Sequence, residues 1–516
     1  MSKLGKSIYK KVKKWHKYIG ISISIVLVWM SVSGILLNHP NLIAGVGVNQ
    51  KFIPSDYLPQ NWNRGGILDA VHIGADTIFI AGKQGIWKST DKGQTFSSAM
   101  NNGFTEEIFY QKTNDLIYLK EAHSLFAATF GGIYKLNLLN NKWSYIPTNT
   151  AHKEQFVKLL QVKNKLYAVS QSGIYLYNNS TLLPQNLLKD KRTTMNLIQF
   201  TFALHSGWLW RNTGRIIYDF VAIILIFLSI TSLYITFRKK TKIEDKEKRK
   251  KRNSRLGFMI KYHTQIGVWT SLILLIIGGT GLFMRPPLLV ALVGGKVPIK
   301  YIPSSIGYNP WYHTIRNALY DEKTDKIVFD TTEGIYEGNS NLKTSFTKTD
   351  WDVNIFVMGA TVFEPLSNGH FLIGSFYGLF DYKRGDNFSL DVLTHHKTPK
   401  YSSLQRPSNY MVMSHFSHPD GTNYITTFQQ GLLALNQPKN DSYYPVPHQL
   451  IDNYKMPLWN YMFELHNGRL FHFIMDKWGI LFIPLISLLF IVLTISGVYE
   501  YVYRKKSKIK KFFKSI

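Results

Sequence analysis

Four apolar segments constrain this chain more than any other feature. They cover residues 18–37, 216–237, 264–284 and 478–499. Each is close to the roughly 20 residues a helix needs to cross the hydrocarbon core of a bilayer. The expectation is a membrane protein with four transmembrane α-helices. The first segment has the basic start and apolar middle of a signal peptide. Its apolar run is long for that role, however, and no small-x-small cleavage site follows it.

Charge then sets the orientation. The chain has 516 residues and a net charge of +29, which taken alone suggests nucleic-acid binding. Mapped along the chain, the excess sits beside the apolar segments. Residues 1–17 hold seven Lys and no acid, residues 238–255 eleven Lys and Arg against three acids, and residues 504–516 seven Lys and Arg and no acid. Those segments supply +22 of the +29. Basic flanks of this kind are the positive-inside signal of a membrane protein, so lipid and not nucleic acid is the expected partner.

The expected order has nine parts, in a bacterial inner membrane with both termini cytoplasmic and the large loops periplasmic. It begins with a cytoplasmic basic N-terminus (1–17), transmembrane helix 1 (18–40), the first half of a periplasmic β domain (41–200) and transmembrane helix 2 (201–237). A cytoplasmic basic loop (238–260), transmembrane helix 3 (261–286) and the second half of the β domain (287–460) follow. Transmembrane helix 4 (461–503) and a cytoplasmic basic tail (504–516) complete it. The chain has no cysteine, which excludes disulfides, thiolate metal sites and iron–sulfur clusters.

One stretch occurs twice. Trp15-His16-Lys17-Tyr18-Ile19-Gly20 runs apolar to Ser33-Gly34 and His39-Pro40, and Tyr262-His263-Thr264-Gln265-Ile266-Gly267 runs apolar to Thr280-Gly281 and Pro286-Pro287. The other two helices open on Leu204-His205-Ser206-Gly207 and Leu465-His466-Asn467-Gly468. Helix, loop and helix are written twice in the same direction, a twofold parallel repeat. The loops repeat internally as well. Short β-type runs end in a Gly-aliphatic-aromatic or Gly-aliphatic-aliphatic signature at Gly85, Gly132 and Gly173, then at Gly334, Gly378 and Gly431. A period of about 40–50 residues with several short strands per unit is that of propeller blades. Three blades cannot close a ring, so the expectation is one roughly six-bladed β-propeller built from both loops, with two separate small β domains as the alternative. Ser89-Thr90-Asp91-Lys92-Gly93-Gln94-Thr95-Phe96 resembles an Asp-box turn and is read as structural.

Four histidines at related places on four helices point to haem. Iron bound by two neutral imidazoles is an electron-transfer centre and needs facing histidines with apolar walls. His16 and His263 are equivalent at the cytoplasmic edge. His205 and His466 are equivalent on the periplasmic side. The expectation is one or two haem b groups held by these four, with His39 and His472 as alternatives for the outer place. The bland reading is that a histidine at a helix end is an interface residue. Ser33-Gly34 and Gly278-Gly279-Thr280-Gly281 are read as close-packing sites, with approach to a porphyrin as the second possibility. Asp219 is either functional or an interface group. Arg211, Arg215, Arg285 and Arg469 suit haem propionates, an anionic substrate or lipid headgroups equally. His395-His396 and His415-x-x-His418 are read as surface residues in preference to metal ligands. No nucleotide or flavin motif is present, so electrons would come from a quinol in the bilayer or from a cytoplasmic protein.

On these helix motifs the chain resembles the PepSY-associated transmembrane family of bacterial inner-membrane proteins. The resemblance rests on the His16, His263, His205 and His466 stretches, the latter two with Gly207 and Gly468, and on Gly214-Arg215. It covers under a third of the chain. It implies membrane haem on these four histidines and, as in some members, reduction of ferric siderophores in the periplasm. Two departures stand out. The fourth helix has Met475-Asp476-Lys477-Trp478 where a Gly-Arg pair is expected, and blades replace the small PepSY domains of many members. The leading expectation is therefore a haem-b membrane reductase whose periplasmic acceptor is a ferric chelate. The alternative is a non-redox, membrane-anchored propeller that binds or senses a ligand. A transporter, suggested only by the repeat, is weaker because intramembrane charge is sparse.

Overall fold

The computed structural model describes residues 3–148, 153–189, 194–240, 244–303, 309–402, 404–435 and 444–512. Residues 241–243 of the expected cytoplasmic loop and 513–516 of the expected basic tail lie outside them. The chain divides into two compact units. Residues 1–43, 193–307 and 459–516 form a membrane unit, and residues 44–192 and 308–458 form a β unit.

Among the described residues, the membrane unit holds four helices long and apolar enough to cross a bilayer. Helix α1 is Lys3–Asn38, α3 is Arg211–Lys240, α4 is Lys246–Phe283 and α6 is Phe482–Phe512. Helix α1 packs on α3 and α6, and α4 packs on the same two. Ile23 and Leu27 of α1, Val221 and Leu228 of α3, Leu274 of α4 and Phe490 of α6 share one buried cluster. Only 17–33% of each apolar window is buried within the protein, and Ile25, Trp269 and Leu272 stand exposed. An apolar surface of that extent needs lipid around it. The chain is a membrane protein.

Helices 1 and 3 extend beyond the expected spans, because α1 continues through the basic N-terminus and α4 begins at Lys246, capped by the Asp245 side chain on the Lys248 amide. The second and fourth segments are not single helices. The short helix α2, Leu197–Ser206, stops at Gly207, and the short helix α5, Leu458–His466, ends just before Gly468. Both glycines are left-handed, at φ 79° and 78°. His205 and His466 thus close short helices; they do not open long ones.

The β unit is built of six antiparallel sheets, within residues 69–98, 113–146, 156–184, 315–349, 362–399 and 412–434. In each, every strand pairs with the next strand in the chain. The fifth sheet has five strands, the sixth three and the others four. Most signature glycines begin a third strand with positive φ, as at Gly132 (138°) and Gly378 (133°).

The second strands are buried on both faces, as Ser124–Thr129 is along its whole length. Such a sheet cannot stand alone and must be covered on both sides. The covering is pairwise. Phe79 of the first sheet packs with Leu125 of the second, Phe126 of the second with Phe156 of the third, and Val169 of the third with Phe329 of the fourth. Val328 of the fourth joins Phe363 of the fifth, Leu379 of the fifth joins Ile425 of the sixth, and Phe416 of the sixth joins Trp87 of the first. Strand Gly47–Asn49 pairs with Lys455–Pro457, which ties the start of the unit to its end.

At the Asp-box, the Asp91 carboxylate accepts from Ser89 Oγ at 2.6 Å, from the amides of Gln94 and Thr95 at 3.1 and 2.9 Å, and from Thr95 Oγ1 at 2.6 Å. Phe96 drops into the cluster with Trp62 and Tyr444. Every carboxylate contact serves the turn.

Candidate haem sites of the membrane unit

The structure brings the four histidines together as two pairs. His16 of α1 faces His263 of α4, with ring centroids 6.4 Å apart and planes at 81°. His205 of α2 faces His466 of α5 at 6.3 Å and 68°. Along α1, His16 and the Ser33 that touches His466 are 17 residues apart. At 1.5 Å per residue this separates the two pairs by roughly 25 Å.

Each ring is held by a hydroxyl on a neighbouring helix. Nδ1 lies 2.9 Å from Ser496 Oγ in His16, 2.8 Å from Thr231 Oγ1 in His263, 3.0 Å from Thr280 Oγ1 in His205 and 2.8 Å from Ser33 Oγ in His466. Each hydroxyl donates its own proton to a backbone carbonyl three or four residues earlier, as Ser496 does to Leu493 and Thr231 to Phe227. Thr280 donates to Ile276 and Ser33 to Trp29. His16 Nδ1 also lies 3.1 Å from the Leu493 carbonyl. A carbonyl only accepts, so Nδ1 carries the hydrogen in His16, and in the other three rings a hydroxyl whose own proton goes to a carbonyl accepts from Nδ1 in the same way. The lone pair is then on Nε2, the nitrogen a metal would take.

Metal–imidazole bonds of about 2 Å, with a further ~1 Å from nitrogen to ring centre, place two imidazoles on one metal about 6 Å apart. Both pairs have that separation and both have neutral donors. Glycine faces three of the rings. A Cβ on Gly497 would lie 3.1 Å from His16 Cε1, one on Gly281 3.2 Å from His205 Cε1, and one on Gly34 3.7 Å from His466 Cε1. At the first pair, an open cavity is lined by Gly20, Leu27, Leu228, Gly267, Leu274 and Phe490 beside the two histidines. Cofactor sites are concave and mostly apolar, as this lining is. The residues present fit a bis-imidazole haem at each pair.

The alternative ligands stand apart. His39 Nε2 is 2.6 Å from Asp219 Oδ2, so each gives the other a hydrogen-bond partner in an apolar segment. His472 is exposed, 4.0 Å from the exposed Asp476. It belongs to the helical turn His472–Met475, which the link from His205 to α3 lacks. That turn also explains the displaced glycine of the missing Gly-Arg pair, while Ile480 stands where Arg215 does. Arg211 and Asp476 have the same unusual backbone, φ 51° with ψ −136° and φ 45° with ψ −135°. Arg211 lies six residues beyond His205 and Asp476 ten beyond His466, so four extra residues move Gly479 into the place of Gly214. Arg215 reaches the Asn38 carbonyl at 3.2 Å, and Arg469 pairs with Glu464 at 2.9 Å.

In the β unit His396 is exposed beside the Thr394 carbonyl, His415 meets Glu364 at 3.2 Å and the buried His418 meets Tyr444 Oη at 2.9 Å. Among the described residues no three His, Asp or Glu side chains gather as a metal cluster. Sequence reasoning took Ser33 and Thr280 as close-packing positions and missed Thr231 and Ser496. A signal was present: Ser33-Gly34, Thr280-Gly281 and Ser496-Gly497 each place a hydroxyl beside a glycine within a long helix.

The model of the PepSY-associated TM region matches residues 141–326. That is about a third of the chain; it includes His205 and His263 and leaves out His16 and His466. No curated protein matches the sequence. Among solved structures, the extracellular domain of BT4673 from B. thetaiotaomicron, described as a one component system, is 11% identical over 74% of this chain with a TM-score of 0.34. That of BT3049 from the same organism, described as a hybrid two component system, is 10% identical over 72% with a TM-score of 0.35. The chain covers 39% of each of those structures, and neither likeness reaches the level of a shared fold. Through α2, α3 and α4 the chain is similar to the PepSY-associated TM region.

Proposed function

We propose that the protein is a haem-b oxidoreductase of a bacterial inner membrane, carrying electrons across the bilayer to a periplasmic acceptor that is a ferric chelate. The observation that carries this reading is the pairing of four imidazoles with ring centres 6.3–6.4 Å apart, each with Nδ1 engaged by a hydroxyl. Nε2 of His16 and His263 would hold one haem, and Nε2 of His205 and His466 a second. Bound in this way, haem iron supplies one-electron oxidation and reduction without an open coordination site.

The chain's own residues orient and insulate. Ser496, Thr231, Thr280 and Ser33 fix ring rotation and tautomer. Leu27, Leu228, Leu274 and Phe490 give the first pair apolar walls. The basic flanks support cytoplasmic termini, which puts the β unit in the periplasm. We read its six sheets as a six-bladed propeller, supported by the up-and-down pairing and by the cluster that joins the sixth sheet to the first. The parallel repeat is supported by the like geometry of Arg211 and Asp476.

An absorption spectrum of the purified protein in detergent tests the proposal. A Soret band that shifts on dithionite reduction is the expected result. A colourless protein, expressed with ample haem, would overturn it and leave a membrane-anchored binding protein.

A further inference from the structure

Beyond Phe283, at the end of α4 opposite its basic start, the membrane unit continues in an apolar segment. Residues 285–303 form a turn of 3₁₀ helix at Leu288–Leu292, a strand at Lys296–Pro298 and a second 3₁₀ turn at Ile299–Tyr301. The strand pairs with Thr194–Asn196, which leads into α2, and the Leu197 amide donates to the Gly295 carbonyl at 2.9 Å. Met195, Leu209 and Ile302 share one buried cluster, with Phe200 and Leu204 of α2 packed on it. The segment is thereby strapped to the short helix that ends on His205 and to the turn that follows it.

What this packing leaves outside suits lipid better than water. Tyr301 is 68% exposed although its neighbour Ile302 is buried, and Val290, Phe202 and Trp210 are exposed as well. Lys296 and Lys300 are exposed and make no ion pair among the described residues, and the Lys300 ammonium lies 5.0 Å from the centre of the Tyr301 ring. Residues 194–218 and 285–303 contain five Lys and Arg and no acid. Of the five, Arg215 is held by Asn38 and Asn212. The pattern belongs to the repeat. Lys300-Tyr301-Ile302-Pro303 matches Lys51-Phe52-Ile53-Pro54, 249 residues earlier. In both, the ring is the last residue of a three-residue turn that follows a three-residue strand, the isoleucine is buried, and Phe52 is 72% exposed.

We infer that Phe202, Trp210, Val290 and Tyr301, with Lys296 and Lys300, form a lipid-binding surface seated where headgroups meet acyl chains, in the leaflet opposite the basic flanks. The surface is continuous with the lipid-facing sides of the long helices, where Ile216 of α3 and Trp269 and Leu272 of α4 stand exposed. Single exposed apolar residues are ordinary, but a group of them joined to a lipid-facing surface needs a cover. Tyrosine and tryptophan rings settle at headgroup level, apolar body inward and polar edge outward. Lysine stems lie along apolar surface while their ammonium groups reach the lipid phosphates, and these segments offer no acid to compete. The consequence is a depth for α2, and so for His205 at its end: the boundary of the bilayer, not its centre.

The chain has no cysteine, so single spin labels test this in the full-length protein. Tyr301→Cys, Val290→Cys and Leu139→Cys are labelled in nanodiscs of phosphatidylethanolamine and phosphatidylglycerol. Leu139 is 82% exposed in a hairpin of the β unit and serves as the water-facing control. Collisions with oxygen, which concentrates in the bilayer, are compared with collisions with a water-soluble nickel chelate. The oxygen-to-nickel ratio should be several-fold higher at 290 and 301 than at 139. Lys296→Glu with Lys300→Glu should lower the ratio at 301, because carboxylates are repelled by lipid phosphates. Haem is not read, so the result is separate from the haem reading. Ratios at 290 and 301 equal to that at 139, or an unchanged ratio in the charge-reversed protein, would overturn the inference. Labels shielded from both probes would mark a protein contact, such as a second copy of this chain, and would overturn it equally.

Discussion

The two histidine pairs reach nearly the same geometry by different means. His16 and His263 sit within long helices, and their positions follow from how α1, α3, α4 and α6 pack. His205 and His466 sit at the last residues of the short helices α2 and α5, where the chain must reverse direction within a few residues. Ring separation differs by only 0.1 Å between the pairs, 6.4 against 6.3 Å. The first pair depends on side chains small enough to let helices approach. The second depends on a backbone conformation that only glycine adopts without strain. One geometry can therefore be lost in two separate ways, and each pair can be perturbed alone.

The largest expected effect separates the pairs outright. With two haems bound as proposed, His16→Ala and His205→Ala should each remove about half of the haem, measured by pyridine haemochrome per protein. Loss of all haem from either change would show that the pairs form one site.

Next comes the turn. Gly207 has φ 79°, and a Cβ there would lie 2.8 Å from the Gly214 carbonyl oxygen, a backbone atom that cannot yield. Gly207→Ala should cost at least ~1–2 kcal/mol from conformation alone. It should deplete haem at His205 and His466 and spare the other pair. Gly468 faces the flexible Ile483 side chain, with Ile483 Cγ1 at 2.9 Å. Gly468→Ala should therefore be milder, and equal losses of haem from the two variants would contradict this account.

A smaller effect concerns the tautomer. Thr231→Val keeps shape but removes the hydroxyl that accepts from His263 Nδ1 at 2.8 Å. Losing one such bond, about 1 kcal/mol, corresponds to roughly 40 mV in a one-electron potential. A redox titration should show one component moved and the other fixed, with Thr231→Ser restoring it. Thr280→Val should move the other component. If both substitutions leave the titration unchanged, the hydroxyls do not tune the imidazoles.

The smallest effect lies in the β unit and should leave both pairs untouched. Hydrogen bonds from Ser89 and Thr95 hold the Asp91 carboxyl down to about 2. Its folded value is below its unfolded one, so its stabilisation is present above about pH 4 and fades as pH falls toward 2. The residue is only partly buried and the contribution small. Asp91→Ala should lower the melting temperature of the β unit by a few degrees with no change in the haem spectrum.

The membrane class, the four spans and the positions of the four histidines were legible in the sequence, because apolar length, basic flanks and repeated motifs are local properties. The six strand groups were legible for the same reason, since each turn glycine marks its own hairpin. Which histidine faces which was suggested by the repeat, but only packing brings His16 to His263 across residues 247 positions apart in the chain. The breaks at Gly207 and Gly468 were not legible. A glycine inside an apolar run reads equally as a packing site, and its φ is set by what lies opposite. The pairing of His39 with Asp219 and of each ring with its hydroxyl also belongs to tertiary structure. Those contacts join residues on different helices, and hydrogen-bond geometry at about 2.6–3.0 Å is fixed by the approach of two backbones, which no single segment encodes.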